Sequence, residues 1–294
     1  MASKMTTPEV RGRKGGDKPL VMVTAYDAPT ARIACAAGVD LILVGDTLAM
    51  VVLGYDDTLQ VTVDDLAHHT AATRRGVVSA TSDGTPEPLL VADMPWMSYH
   101  TEIPDAVRNA ARLIRSGAAA VKLEGGRKRL PVVEAIIDAE IPVMGHVGLT
   151  PQSTNAFGGF KVQAKDLDAV GALLADAQAL ADAGCFAIVL EGIPDRVARM
   201  VTEQVPVPTI GIGAGPHCDG QVLVFHDVLG LEERLRPKFV RRYANLRDVA
   251  VEGLAAWAAD VRSGRFPSDA ESYHLPRQVA EALAISQGPM LVGV

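Results

Sequence analysis

The chain has 294 residues, a length that fits two average domains or one large α/β barrel. Apolar residues make up 48% and charged residues 21%, which excludes a disordered or fibrous protein. The 28 basic and 35 acidic side chains give a formal charge of −7, and no basic stretch is interleaved with aromatics, which speaks against nucleic acid as a partner. Cys35, Cys185 and Cys218 follow no zinc or CxxC spacing, and a reducing cytoplasm is the expected compartment. The N-terminal stretch lacks an apolar signal core, and no apolar run is long enough to span a bilayer, so no membrane partner is expected.

Short, continuously apolar runs alternate with segments of helical periodicity along the chain. Leu20–Thr24 is followed by helix formers at Ala28–Ala37, then come the run Val39–Val44 and the helical stretch Val63–Arg75. Leu89–Ala92 precedes Pro104–Ser116, Ala119–Leu123 precedes Leu130–Ala139, and Ile141–Met144 precedes Ala164–Ala183. Phe186–Leu190 leads into Asp195–Gln204, and Val207–Ile210 and Val222–Phe225 complete the set. Such runs, bounded by Gly, Pro or charge, are expected of strands buried on both faces. Gly38, Gly117 and Gly184 stand where three of the helices should stop.

Strand and helix alternating in this way predict parallel βαβ units. The first βα turn, Ala25-Tyr26-Asp27-Ala28-Pro29, lacks the glycines of an open dinucleotide-binding sheet, so a closed (β/α)8 TIM barrel is the preferred fold. An N-terminal segment 1–19, a barrel 20–263 and a tail 264–294 are the expected divisions, with helix continuing from Phe225 to about Ser263. Pro267, Pro276 and Pro289 punctuate the tail, which is expected to lie on the surface or against a neighbouring subunit. Ala80–Glu87 reads as a lengthened loop before the third strand, at the barrel end away from the site.

In such a barrel the chemistry gathers where the strands end. The strand ends carry Tyr26-Asp27, Gly45-Asp46-Thr47, Asp93, Lys122 and Glu124, His146, Glu191, the glycine cluster Gly211–Gly215, and His226-Asp227. Any one of these could merely cap the next helix. Asp46, Asp93 and Glu124 together offer hard oxygen ligands suited to Mg²⁺. Lys122 and Glu124 share one face of a strand, so Lys122 either forms an internal ion pair or holds a substrate carboxylate. Glu191 ends an apolar run that would raise its pKa and suit it as a base, unless it caps the following helix. His146 is equally a structural group or support for the site. Gly211–Gly215 suggests a tight turn where backbone approaches a ligand.

The segments Thr24–Asp27, Leu43–Thr47, Val91–Pro95, Val121–Gly126 and Gly145–Ser153 resemble the ketopantoate hydroxymethyltransferase family. Phe157–Gln163, Ile210–Gly215, Cys218–Val224 and Pro237–Val240 resemble it too, with a weaker echo in Phe266–Asp269. The resemblance implies a barrel of the phosphoenolpyruvate/pyruvate type, assembled as a homo-oligomer, a decamer in the family. It implies transfer of a hydroxymethyl group from 5,10-methylenetetrahydrofolate to the keto acid 3-methyl-2-oxobutanoate, with Mg²⁺ stabilising an enolate, in pantothenate and coenzyme A biosynthesis. Carried residue by residue, the metal ligands fall on Asp46, Asp93 and Glu124, and the keto-acid contacts on Asp46, Thr47, Asp93 and Lys122. The catalytic base falls on Glu191. Two positions depart from the family's usual Gly-Asp-Ser-Leu-Gly: Thr47, which keeps the hydroxyl, and Ala49, which requires negative φ. Lyases of related barrels are the rival reading, and the Lys-Lys-Cys-Gly-like loop they carry is absent here. A barrel without catalysis, kept as a scaffold, is the rival from a different class.

Overall fold

The computed structural model describes residues 3–81, 84–234 and 236–286, and divides into two units, 1–244 and 245–294. The first unit holds eight parallel strands in a closed barrel, each paired with its neighbours in sequence and β8 closing onto β1. The strands are β1 (Leu20–Thr24), β2 (Leu41–Val44), β3 (Leu89–Asp93), β4 (Ala120–Lys122), β5 (Val143–Gly148), β6 (Ala187–Glu191), β7 (Thr209–Ile212) and β8 (Gly220–Leu223). The helices, in chain order, begin with α1 (Thr7–Arg11), α2 (Ala28–Ala36), α3 (Leu48–Val51), α4 (Val63–Ala80) and α5 (Ile103–Arg115). They continue with α6 (Leu130–Asp138), α7 (Thr154–Phe157), α8 (Leu167–Asp182), α9 (Asp195–Gln204) and α10 (Phe225–Val228). The second unit contains α11 (Leu246–Arg262) and α12 (Arg277–Ser286).

Strand alternation sorts the side chains. Leu20, Met22, Leu41, Leu43, Leu89, Val91, Ala120, Met144, Ala187, Val189, Ile210 and Val222 fill the barrel interior, and Val10 of α1 joins them. The alternate residues, such as Ile42, Val44, Leu90, Ala92, Val121, Val143, Ile188 and Leu190, pack outward with the helices. This two-residue period decides which strand-end side chains reach the mouth. Asp93 follows Leu89 and Val91 inward, Lys122 and Glu124 follow Ala120, His146 follows Met144, and Glu191 follows Ala187 and Val189.

The expected glycine stops are present, with φ of 74° at Gly38, 111° at Gly117 and 100° at Gly184. Helix α4 begins at a capping box of Thr62 and Asp65 and runs five residues past the expected Arg75. Residues 82 and 83 of the expected loop lie outside the described residues; Glu87 nearby is held by Arg74 and Lys4. Strand β5 extends past Met144 to Gly148, so His146 stands within the strand. Strands β7 and β8 lie two residues away from the expected runs in opposite directions, and Gly211 is inside β7. The continuous helix expected from Phe225 to Ser263 is corrected. Among the described residues no regular element follows α10 until α11, and Gly230 and Pro237 interrupt the segment. No residue from 245 to 283 is buried. Pro289 lies outside the described residues.

Candidate active site at the carboxyl ends of the strands

Asp46, Asp93, Lys122, Glu124 and His146 are buried together at the carboxyl end of the barrel, beside Glu191, whose side chain keeps 15% of its surface open. Register sets Asp93 of β3 next to Lys122 of β4, and the Lys122 ammonium meets Asp93 Oδ1 at 2.6 Å. The backbone N–H of Asp46 donates to Asp93 Oδ2 at 3.1 Å. A side chain at Gly45 would come within 3.3 Å of that same Asp93 oxygen, so glycine makes room for the contact. Asp46 lies beyond the end of β2, and the Gly45 turn rather than strand alternation brings it to the cluster.

Lys122 Nζ also donates to His146 Nδ1 at 3.2 Å. An ammonium has no lone pair to give, so Nδ1 accepts, and the proton of the neutral ring sits on Nε2. That nitrogen lies 3.2 Å from Glu191 Oε2 but makes no hydrogen bond among the described residues. Glu124 Oε1 is 3.6 Å from the accepting Nδ1 and, although buried, has no hydrogen-bond donor among the described residues. The other Glu124 oxygen accepts from the backbone N–H of Gln152 at 3.0 Å. The Gln152 side-chain amide donates to Asp46 Oδ2 at 2.8 Å, and the Tyr99 hydroxyl donates to Gln152 Oε1 at 2.6 Å. Thr47 Oγ1 and Tyr26 Oη are 2.9 Å apart.

The electrostatics follow from one ammonium among four carboxylates. Burial and then Asp93 raise the Asp46 carboxyl to about 7. Burial and Asp46 push Glu124 well above the usual carboxylate range. Burial lifts Glu191 to about 7 against the pull of Lys122. Burial opposes the charge on Lys122, but Asp93, Glu124 and Asp46 hold its pKa above the ordinary value. Burial and Lys122 drive His146 well below its ordinary value, which keeps the ring neutral.

The capping alternative fails for the acids of the cluster. Helix α9 starts after Pro194 without a side-chain cap, and α3 starts after Thr47 without one, so neither Glu191 nor Asp46 caps. Asp27, by contrast, is the N-cap of α2, accepting from Thr30 N at 2.8 Å. His226 packs its ring on Tyr26 and Phe225, with centroids 5.7 and 5.9 Å apart. The neighbours that crowd Gly213 and Gly215 are Phe239 and Asp195, side chains of the chain itself. Ala49 is buried in helical α3, where alanine is at home. Gln152 and Tyr99 are the members that sequence reasoning did not single out.

The donor set suits a hard cation. The carboxylates outnumber the nearby positive charge, and Glu124 Oε1 is buried without a partner. Among the described residues no three His, Cys, Asp or Glu groups form a ready cage. Mg²⁺ does not require one, since it keeps several waters and is held through one or two carboxylates plus substrate oxygens.

An eight-stranded barrel with an acidic cluster at its carboxyl mouth defines the class, and solved structures share the fold. A phosphonopyruvate hydrolase crystallised with oxalate and Mg²⁺ aligns with TM-score 0.57 at 14% identity, covering 98% of this chain and 100% of that one. A phosphoenolpyruvate phosphomutase from Streptomyces platensis subsp. rosaceus aligns with TM-score 0.57 at 16% identity, covering 96% of each chain. A 2,3-dimethylmalate lyase of the PEP mutase/isocitrate lyase superfamily gives 0.56 at 19%, covering 96% of this chain and 99% of that one. The sequence narrows the class further. The profile of ketopantoate hydroxymethyltransferase matches residues 4–269, and the chain belongs to that family. It is 50% identical to the 3-methyl-2-oxobutanoate hydroxymethyltransferase of Koribacter versatilis, over 97% of this chain and 94% of that protein. It is 52% identical to that of Moorella thermoacetica, over 92% of this chain and 98% of that protein.

Proposed function

We propose that the protein transfers a hydroxymethyl group from 5,10-methylenetetrahydrofolate to 3-methyl-2-oxobutanoate, giving 2-dehydropantoate and tetrahydrofolate. The observation that carries this reading is Glu191, a carboxyl held near 7 at the edge of a buried cluster of Asp46, Asp93, Glu124 and Lys122. In this reading Lys122 has one ammonium hydrogen left after Asp93 and His146, and gives it to the substrate carboxylate. The Thr47 hydroxyl is the second carboxylate contact. Asp46, Asp93 and Glu124 would hold Mg²⁺, which supplies positive charge where negative charge develops on the keto oxygen. Glu191 takes the C3 proton, and the electron pair left on C3 attacks the folate methylene carbon as its bond to one folate nitrogen breaks. Water then displaces the second nitrogen, leaving the hydroxymethyl group on C3 and the protons on tetrahydrofolate. His146, whose Nε2 lies 3.2 Å from Glu191 Oε2, stands beside the base in support.

A cysteine-dependent lyase reaction is disfavoured by where the cysteines lie. Cys185 and Cys218 precede β6 and β8 at the amino end of the barrel, and Cys35 is within α2. All are buried, and burial pushes the Cys185 thiol up to about 12. Free cysteines also fit a reducing cytoplasm. The absence of burial from 245 to 283, with Val249, Leu254, Trp257 and Val261 of α11 exposed, supports a homo-oligomer, a decamer by the family's habit. A monomeric mass by light scattering would remove that assignment. Incubation with 3-methyl-2-oxobutanoate, methylenetetrahydrofolate and Mg²⁺ should yield 2-dehydropantoate. A folded protein that forms none, or that cleaves the keto acid instead, would overturn the proposal.

A further inference from the structure

The acids of the cluster repel one another, yet Asp46 and Glu124 lie buried at fixed positions on loops after different strands. One residue ties them together. Gln152 sits in the 3-10 turn Pro151–Ser153 after β5 and reaches both acids, with its backbone N–H on Glu124 Oε2 at 3.0 Å and its side-chain amide on Asp46 Oδ2 at 2.8 Å. The same amide nitrogen donates to the Met94 carbonyl at 3.0 Å, so both of its hydrogens are used. The turn itself is braced by the Ser153 N–H donating to the Thr150 carbonyl at 2.8 Å.

The direction of the amide matters. A flipped Gln152 would set its oxygen against Asp46 Oδ2 and the Met94 carbonyl, with no hydrogen between acceptors. The Asp46 and Met94 acceptors oppose the flip, and the Tyr99 hydroxyl backs the observed orientation by donating to Gln152 Oε1 at 2.6 Å while accepting from the Glu124 N–H at 3.1 Å. Tyr99 is almost fully buried, so no water competes for that bond. The donors are neutral and occupy one oxygen of each acid. They hold the carboxylates without neutralising them, and leave Glu124 Oε1 free.

We propose that Gln152 is a positioning residue for divalent-cation binding, an amide clasp that presents Asp46 and Glu124 to the ion, and that Tyr99 sets its orientation. The inference rests on reading these two acids as magnesium ligands. Groups that orient metal ligands in this way tune metal affinity and activity, typically by roughly 10- to 100-fold.

The test uses Mg²⁺ alone, titrated calorimetrically into the full-length protein without substrates, with Gln152→Met and Tyr99→Phe beside the parent. Gln152→Met keeps much of the shape and removes the side-chain bonds, and should weaken Mg²⁺ binding by roughly 10- to 100-fold. Tyr99→Phe should weaken it by about threefold to tenfold, since the amide stays but can turn. In turnover assays the Mg²⁺ concentration for half-maximal rate should rise by the same factors, while kcat at saturating Mg²⁺ stays near the parent. A purely structural role predicts lower melting temperatures with unchanged Mg²⁺ affinity, and that result overturns the proposal. Should Gln152→Met fail to fold, Tyr99→Phe decides, and a parental Mg²⁺ affinity in it is equally fatal. A parent that gives no Mg²⁺ binding would remove the magnesium reading itself, whereas equal binding by parent and variants removes only the clasp.

Discussion

The two ends of the barrel use the same acidic side chains to opposite effect. At the amino end, Asp219 takes hydrogen bonds from Gly15 N at 2.8 Å and Thr209 N at 2.8 Å, and pairs with Lys14 at 3.0 Å. Glu87 is similar: burial opposes its charge, but Arg74 and Lys4 hold its pKa below the ordinary value. At the carboxyl end, Asp46, Glu124 and Glu191 are all raised, because burial outweighs the pull of Lys122. Donors are supplied to the amino-end acids and rationed at the carboxyl end. The first arrangement favours the folded state; the second holds carboxyls that can accept a proton or a cation.

The largest expected effect tests the carboxyl end. Glu191→Gln fills the same space but cannot accept a proton, so exchange of the C3 proton of 3-methyl-2-oxobutanoate with D₂O should slow by a factor of roughly 10² to 10⁴. Proton NMR without folate measures it, and Mg²⁺ affinity should stay parental because no proposed metal ligand changes. A parental exchange rate in the folded variant would transfer the base role to another group at the mouth.

The same substitution should raise stability. The folded Glu191 titrates near 7 against an ordinary value of 4.5, so the folded state disfavours its ionised form. The sign is that of a raised carboxyl: its favourable contribution is complete below about 4.5 and is lost as pH rises through 7. Relative to the parent, Glu191→Gln should gain up to about 3 kcal/mol at pH 8 and little at pH 4.5, read from denaturant unfolding at both pH values. A loss at pH 8 would contradict the contrast between the two ends.

Asp219→Asn is the converse at the amino end. It leaves a shape that fits but removes the acidic partner of Lys14 and weakens the bonds from Gly15 and Thr209. We expect a loss of about 2 kcal/mol in unfolding free energy with the exchange rate unchanged. A matching loss of exchange activity in a folded variant would mean that the two ends are coupled.

Much of this contrast is legible in sequence, for a definite reason. Each strand is an apolar run, and period-two alternation carries from its inward residues to the group at its end, so Asp93, Lys122, Glu124, His146 and Glu191 fall into place together. Asp46 does not follow that alternation, and depends on Gly45 for its approach. Gln152 and Tyr99 leave no local signal, because the amide meets an acid 106 residues away and the hydroxyl an N–H 25 residues away. The segment after α10 misleads because apolar content suggests a helix where Gly230 and Pro237 forbid a continuous one. Strands β7 and β8 shift for the opposite reason, since Gly211 and Gly220 lie inside them and interrupt no hydrogen bonding.

The smallest expected effect separates two acids that look alike in sequence. Asp27 and Glu191 both follow an apolar strand and precede a helix. Asp27 is exposed, and its carboxylate accepts from the N–H and hydroxyl of Thr30, at 2.8 and 2.6 Å, in the capping box of α2. Glu191 has no helix N–H to accept from, and its carboxylate meets His146 instead. Asp27→Ala should therefore cost about 1 kcal/mol of stability, the ordinary value of a lost N-cap. C3 exchange should stay within about twofold of the parent, since the base requires a positioned proton acceptor and Asp27 does not supply one. Chemical denaturation and proton exchange on one preparation give both numbers. Loss of exchange without loss of stability would make Asp27 part of the site and the capping assignment secondary. With both variants measured, a cap lowers stability and spares exchange, whereas the base does the reverse.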